Sequence, residues 1–185
     1  MTFYELFFYI KIMQIMDITF TRLVYTPIRD NLHKLAEDLR ITVNMPAGKG
    51  YRFRIEKDFV TNFRSGSDLI NPIIPRNGNE SRTISYILHD ANYTTHYFTK
   101  EFSDDLLRAM LTNADNETKE QIKREKSLPQ VDKKYIKFLD SQILGWGKIW
   151  VIWKAVSMFG KGAWNEPIVA PYEGNEKRFF MEVIE

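Results

Sequence analysis

The chain has no cysteine. Disulfides, thiolate metal sites and cysteine nucleophiles are therefore excluded, which fits a reducing cytoplasm or a particle assembled in one. Charge of one sign is missing too. The formal net charge is +2, with 26 Lys and Arg interleaved among 24 Asp and Glu, so no basic patch points to a nucleic acid. There is no internal repeat or low-complexity tract, and no phosphate-binding glycine motif, nucleotide fold or nucleophile elbow. No apolar run reaches the roughly 20 residues that cross a bilayer. The nearest, Met1 to Met16, is interrupted by Glu5, Lys11 and Gln14 and lacks the features of a secretory signal. Two readings of it stay open: a first strand or helix packed on the core, or an extension upstream of a natural start at Met13 or Met16.

What is present suits one domain. A chain of 185 residues can bury one good core and is short for two, and 44% hydrophobic with 27% charged residues is ordinary for a globular protein. Aromatic residues reach 14%, the stuff of cores and interfaces. The expected division is a β-rich part over 17–61, a loop over 62–81, a helical part over 82–164 and a tail over 165–185. Asp17 to Tyr25 reads as a strand closed by Pro27, and Asn31 to Asp38 as one or two helical turns before a strand at Leu39–Val43. The segment Pro46 to Gly50 is a turn. Tyr51, Phe53 and Ile55 alternate as in a half-buried strand.

From residue 82 the period becomes helical. Ile84, Ile87, Leu88 and Ala91 mark one buried stripe. Thr99 is the expected cap of a second helix with Leu106, Leu107, Met110 and Leu111 inward. Asn116 to Lys126 reads as a solvated helix or linker. Asp132 is placed to cap one long final helix carrying Tyr135, Phe138, Leu139, Gln142, Trp146, Ile149, Trp150 and Trp153, bent at Gly145 or Gly147 and ended by Gly160. A short strand, Arg178 to Ile184, closes the chain. Strands first and helices afterwards give an α+β fold, a small N-terminal antiparallel sheet packed on a helical part with one long Trp-rich helix. That helix is expected to cover the sheet. Its stretch Ile143 to Phe159, with Lys148 and Lys154, also suits a membrane surface.

Chemistry concentrates between Ser85 and Leu111. His89 and Tyr93 lie four residues apart on one helix face, with Tyr86 a turn earlier. Asp104, early in the next helix, can reach His89 if the two helices pack antiparallel. An imidazole oriented by a carboxylate is how a water-activating base is built. Asp90 is left to hold a hard cation such as calcium, with Gly66, Asn77 or Gly78 of the preceding loop as further oxygen donors. The alternative is structural: a buried His-Asp network, with Asp104 paired to Arg108 or placed near a helix N-terminus. A third option is a metal-dependent phosphohydrolase using His33, His89, Asp90 and Asp140. His96 is expected to face solvent.

The run His89-Asp90-Ala91-Asn92-Tyr93, followed by Ser103-Asp104-Asp105-Leu106-Leu107, resembles the H-D-x-x-Y and second-helix Asp of secreted and parvoviral phospholipases A2. The resemblance implies His89 as base, Asp90 as calcium ligand, and Tyr93 and Asp104 as orienting partners. A broader likeness covers more of the chain. Asp58-Phe59-Val60-Thr61-Asn62-Phe63-Arg64-Ser65, the two blocks above, and Ala155-Val156-Ser157-Met158-Phe159-Gly160 before Trp164 are similar to an uncharacterised family of tailed-phage and prophage proteins. The loop Asp of that family is Asn62 here, with Asp68 as a substitute carboxylate. Three functions follow from these likenesses: a phospholipase-like hydrolase, a non-enzymatic virion or tail protein, and an effector that binds a host protein. The expected partners are virion proteins or a phospholipid surface.

Overall fold

The computed structural model describes residues 17–29, 32–45, 48, 50–63, 79–165 and 172–184. The expectations for Met1 to Met16 and for most of the 62–81 loop lie outside them.

Among the described residues the regular elements of the N-terminal part are strands: β1 (Asp17–Phe20), β2 (Tyr25–Arg29), β3 (Leu32–Leu35), β4 (Leu39–Asn44), β5 (Gly50–Ile55) and β6 (Val60–Thr61). A final strand, β7 (Phe179–Ile184), returns from the C-terminal end. β1, β4, β5 and β7 form one antiparallel sheet in that order, and β2, β3 and β6 form a second. The alternation in β4 and β5 sets the faces. Leu39, Ile41, Val43, Phe53 and Ile55 are buried on one side, while Arg40 and Arg54 stand on the other. At Met45–Gly48 a turn closes with Gly48 donating to the Met45 carbonyl, Gly48 being left-handed at φ 81°.

Two local expectations are corrected. Leu32–Leu35 is a strand, not a helical turn, because it is paired on both sides, by β2 and β6, and sends Leu35 into the core. A helix that short gains too few hydrogen bonds to offset its nucleation. Pro27 sits inside β2 rather than ending a strand. β2 is an edge strand, where a missing N–H is tolerated, and the register slips beside the proline.

Among the described residues four α-helices follow: α1 (Glu80–Thr95), α2 (Lys100–Lys126), α3 (Lys133–Gln142) and α4 (Gly145–Asn165). Asn79, Thr99 and Asp132 cap the first three by accepting backbone amides. The acidic and basic run from Asn116 is the exposed end of α2, with only Thr118 and Ile122 buried beyond it. The sheet face packs against Ile84, Ile87, Leu88 and Ala91 of α1 and Leu106, Ala109 and Met110 of α2. Each such fully buried large apolar side chain contributes about 1.5–3 kcal/mol.

The Trp-rich helix does not cover the sheet. All four tryptophans do fall on α4, but its inner residues Ile149, Ile152, Ala155 and Val156 form a separate cluster with Tyr86, Leu107 and Leu111. α1 and α2 are the layer between, because the apolar stripe of α1 already fills the sheet. Nor is there one final helix. The chain breaks at Ile143 and Leu144, and Gly145 takes a left-handed φ of 74°. Asp115 on α2 accepts the amides of Leu144 at 3.0 Å and Gly145 at 2.7 Å, so it caps α4 from another element. Gly160 does not end α4. It is internal, and a Cβ there would stand 2.5 Å from the Tyr93 hydroxyl.

Candidate functional site

α1 is polar on the face turned away from the sheet, and that face is buried. Arg82, Ser85, His89 and Asn92 follow one another at helical spacing and are each almost wholly covered. Their cover is α2, which runs antiparallel: Asn79 meets Thr118, Arg82 meets Asp115, and His89 meets Asp104.

The sequence-predicted trio comes together. His89 Nε2 lies 2.9 Å from Asp104 Oδ1, and the Tyr93 hydroxyl donates to the same oxygen at 2.7 Å. The two rings lean on each other with centroids 4.2 Å apart. Asp104 lies in the second turn of α2 and is 2% exposed. Asp105 points elsewhere and accepts the Trp153 indole at 2.9 Å. A residue missed from sequence completes the cluster. Lys100 donates to Asp104 Oδ2 at 2.6 Å, and to the carbonyls of Val156 at 2.9 Å and Ser157 at 3.1 Å. Its three N–H groups thus have three acceptors. The signal is its place four residues before Asp104; Arg108, four residues after, lies over the Trp153 ring.

The electrostatics follow from burial and charge. Burial drives the His89 pKa below its ordinary value, and Asp104 only partly offsets this because Lys100 already balances the carboxylate. For Asp104 burial pushes upward, but the hydrogen bonds from His89 and Lys100 outweigh it and the carboxyl is held low. Burial and the Asp104 charge raise the Tyr93 phenol, which stays a neutral donor. A carboxylate has no proton to give, so the imidazole proton sits on Nε2. Nδ1 then carries the lone pair, the nitrogen able to take a proton from water.

Asp90 faces away from this trio. Its Oδ2 accepts from the Thr61 hydroxyl at 2.8 Å, and Thr61 Oγ1 accepts in turn from the Phe63 amide at 3.0 Å. Phe63 is left-handed at φ 54°. Tyr172 bonds to Asn62 and has its phenol raised by burial and by the Asp90 charge. Asp90 therefore anchors the point where the chain leaves β6. Gly66, Asn77, Gly78 and Asp68 lie outside the described residues. Among the described residues no three His, Asp or Glu side chains converge as a metal site. His33 stacks on Phe63 at 4.3 Å and Asp140 is exposed on α3. His96 is exposed and left-handed at the end of α1, stacked on Trp164 at 4.2 Å.

With this geometry in hand the comparisons add no relative: no family model, no curated protein and no solved structure matches the chain.

Proposed function

We propose that the chain is a phage-encoded hydrolase of the phospholipase A2 type, with His89 as the base that activates water. The observation that supports the reading is the convergence of His89 Nε2 and Tyr93 Oη on one oxygen of Asp104. Those are the roles the phospholipase likeness implies for these residues. In the proposed step His89 Nδ1 takes a proton as water oxygen bonds to an ester carbonyl carbon, and the proton then passes to the departing alkoxide. Asp104 steadies the imidazolium, and Lys100 keeps Asp104 ionised.

The phage reading draws on the same place in the fold, because the sequence blocks behind it meet there. Thr61 bonds Asp90, His89 and Tyr93 bond Asp104, Lys100 bonds the carbonyls of Val156 and Ser157, and Trp164 packs edge-on to Tyr93 at 4.9 Å. For calcium, the described residues offer one carboxylate, Asp90, and the Thr61 hydroxyl upon it. A calcium shell takes about six to eight oxygens, so these residues alone do not make one.

One observation favours a second reading. Lys100, held on α2 by Asp104, pins α2 to α4 through the carbonyls of Val156 and Ser157, so the cluster also works as a clamp in a non-enzymatic virion protein or a host-binding effector. Fatty-acid release from mixed phospholipid vesicles, with calcium or a chelator, separates the two. The hydrolase reading expects release by the wild type and a fall of about 10²–10⁴-fold in folded His89→Ala. No release by the wild type under either condition overturns it and leaves the clamp.

A further inference from the structure

The inner face of α4 is spent on packing, yet its outer face is not polar. Trp146, Trp150, Lys154 and Met158 succeed one another four residues apart and form one ridge. Trp146 is 67% exposed, Trp150 40% and Met158 65%, and Phe159, off this ridge, is 59% exposed. Exposed single apolar residues are ordinary, but four large ones along one helix are not. The charge of the helix is equally one-sided. Lys148, Lys154 and Lys161 are all exposed and α4 has no Asp or Glu, so this helix alone carries more positive charge than the net +2 of the chain.

We infer that the outer face of α4 is a docking surface for an anionic phospholipid membrane. Tryptophan is the side chain best suited to a lipid–water boundary, since its ring is apolar and its N–H is polar. Lysines beside it reach headgroup phosphates through long apolar stems. Charge argues for lipid over a second copy of the chain. Two copies of this face meeting across a two-fold would oppose Lys154 and Lys161 with the same two lysines and no carboxylate of the helix. Docking here is peripheral, because among the described residues no helix is long and apolar enough to cross a membrane. The surface stands apart from the His89 cluster, and binding there does not require turnover.

The test is flotation with vesicles of phosphatidylcholine, with and without phosphatidylglycerol, alongside tryptophan quenching by brominated lipid. Binding to the anionic vesicles, weakened by salt, is expected. Trp146→Ala with Trp150→Ala should remove most of the quenching and weaken binding roughly tenfold or more, at an unchanged melting temperature. Each of Lys154→Gln and Lys161→Gln, on the same side as the ridge, should weaken it about fivefold, and Lys148→Gln, off that side, should weaken it less. His89→Ala should bind like the wild type. Binding without fatty-acid release would sink the hydrolase and spare the surface. Absence of binding to either vesicle overturns the proposal. So does a lipid-free chain whose Trp146 and Trp150 are already shielded from acrylamide, which would show that protein covers the face.

Discussion

The two ends of the buried seam between α1 and α2 make the informative contrast. At one end Arg82 pairs with Asp115 at 3.3 Å, and at the other His89 pairs with Asp104 at 2.9 Å. All four side chains are nearly solvent-free and the two α1 residues are seven apart, on the same face. Their partners differ in kind. Arg82 also donates to the Gln142 carbonyl, and Asp115 takes the amides of Leu144 and Gly145, so that end is fastened to the backbone joint between α3 and α4. The His89 end gathers side chains that can exchange protons: an imidazole, a phenol, an ammonium and one shared carboxylate. Burial alone therefore does not mark a functional site. The second set includes an imidazole, whose ordinary pKa lies near neutral and whose charged form burial opposes here, whereas a guanidinium stays charged.

The largest effect is expected at the arginine end. Asp115→Ala strands a buried guanidinium and two helix-start amides, and should cost about 3–5 kcal/mol in denaturant unfolding. Loss of below about 1 kcal/mol would mean that the joint does not depend on this carboxylate and that the contrast is drawn wrongly.

A smaller loss is expected where α4 touches the histidine end. A Cβ at Gly160 would fall 2.5 Å from the Tyr93 hydroxyl and 3.4 Å from Lys100 Cε. Gly160→Ala should therefore displace Tyr93 from Asp104 and cost about 1–3 kcal/mol, as overpacking does. Tyr93→Phe in the same background should recover part of this, since it removes the clashing oxygen. If the single variant is as stable as the wild type, the close approach is not a constraint.

These contacts divide what could be read from the sequence from what could not. The period-2 pattern of Tyr51, Phe53 and Ile55 and the helical stripe from Ile84 to Ala91 gave the α+β class, because apolar periodicity reports directly which face is covered. The trio His89, Tyr93 and Asp104 was legible because two residues share a helix face and the third follows a capped helix start at Thr99. Lys100 and Asp115 were not singled out, since their roles depend on how α4 lies across α2. The same geometry decided that Trp146 and Trp150 line an outer ridge rather than cover the sheet. Asn92 is a further case. Its amide is fully buried, without a partner among the described residues. The loop donors for calcium, at Gly66, Asn77 and Gly78, lie outside the described residues, so that part of the site rests on sequence alone.

The gentlest perturbation is a change of pH, and it should act on one end of the seam only. Burial lowers the pKa of His89 and also that of His33. Above about pH 6.5 the folded and unfolded chains both hold these rings neutral, so stability is flat. As pH falls through that value the unfolded chain takes up protons that the folded chain refuses, and stability drops. The contribution of His89 is at most about 1.4 kcal/mol per pH unit. Asp104, also held low, adds a loss of the same sign below about pH 4, where unfolded carboxylates protonate first. Urea midpoints from pH 8 to pH 5 test this. The wild type should weaken from about pH 6.5 downward, and His89→Gln should flatten part of the slope, with His33→Gln removing the remainder. Lys100→Met should act the other way. With the ammonium gone, the Asp104 charge falls on His89 alone, its pKa should rise, and ring-proton NMR titration would follow the change. A His89 that titrates identically in both proteins would mean that Lys100 does not set its protonation, and the two ends of the seam would then be alike in being merely structural.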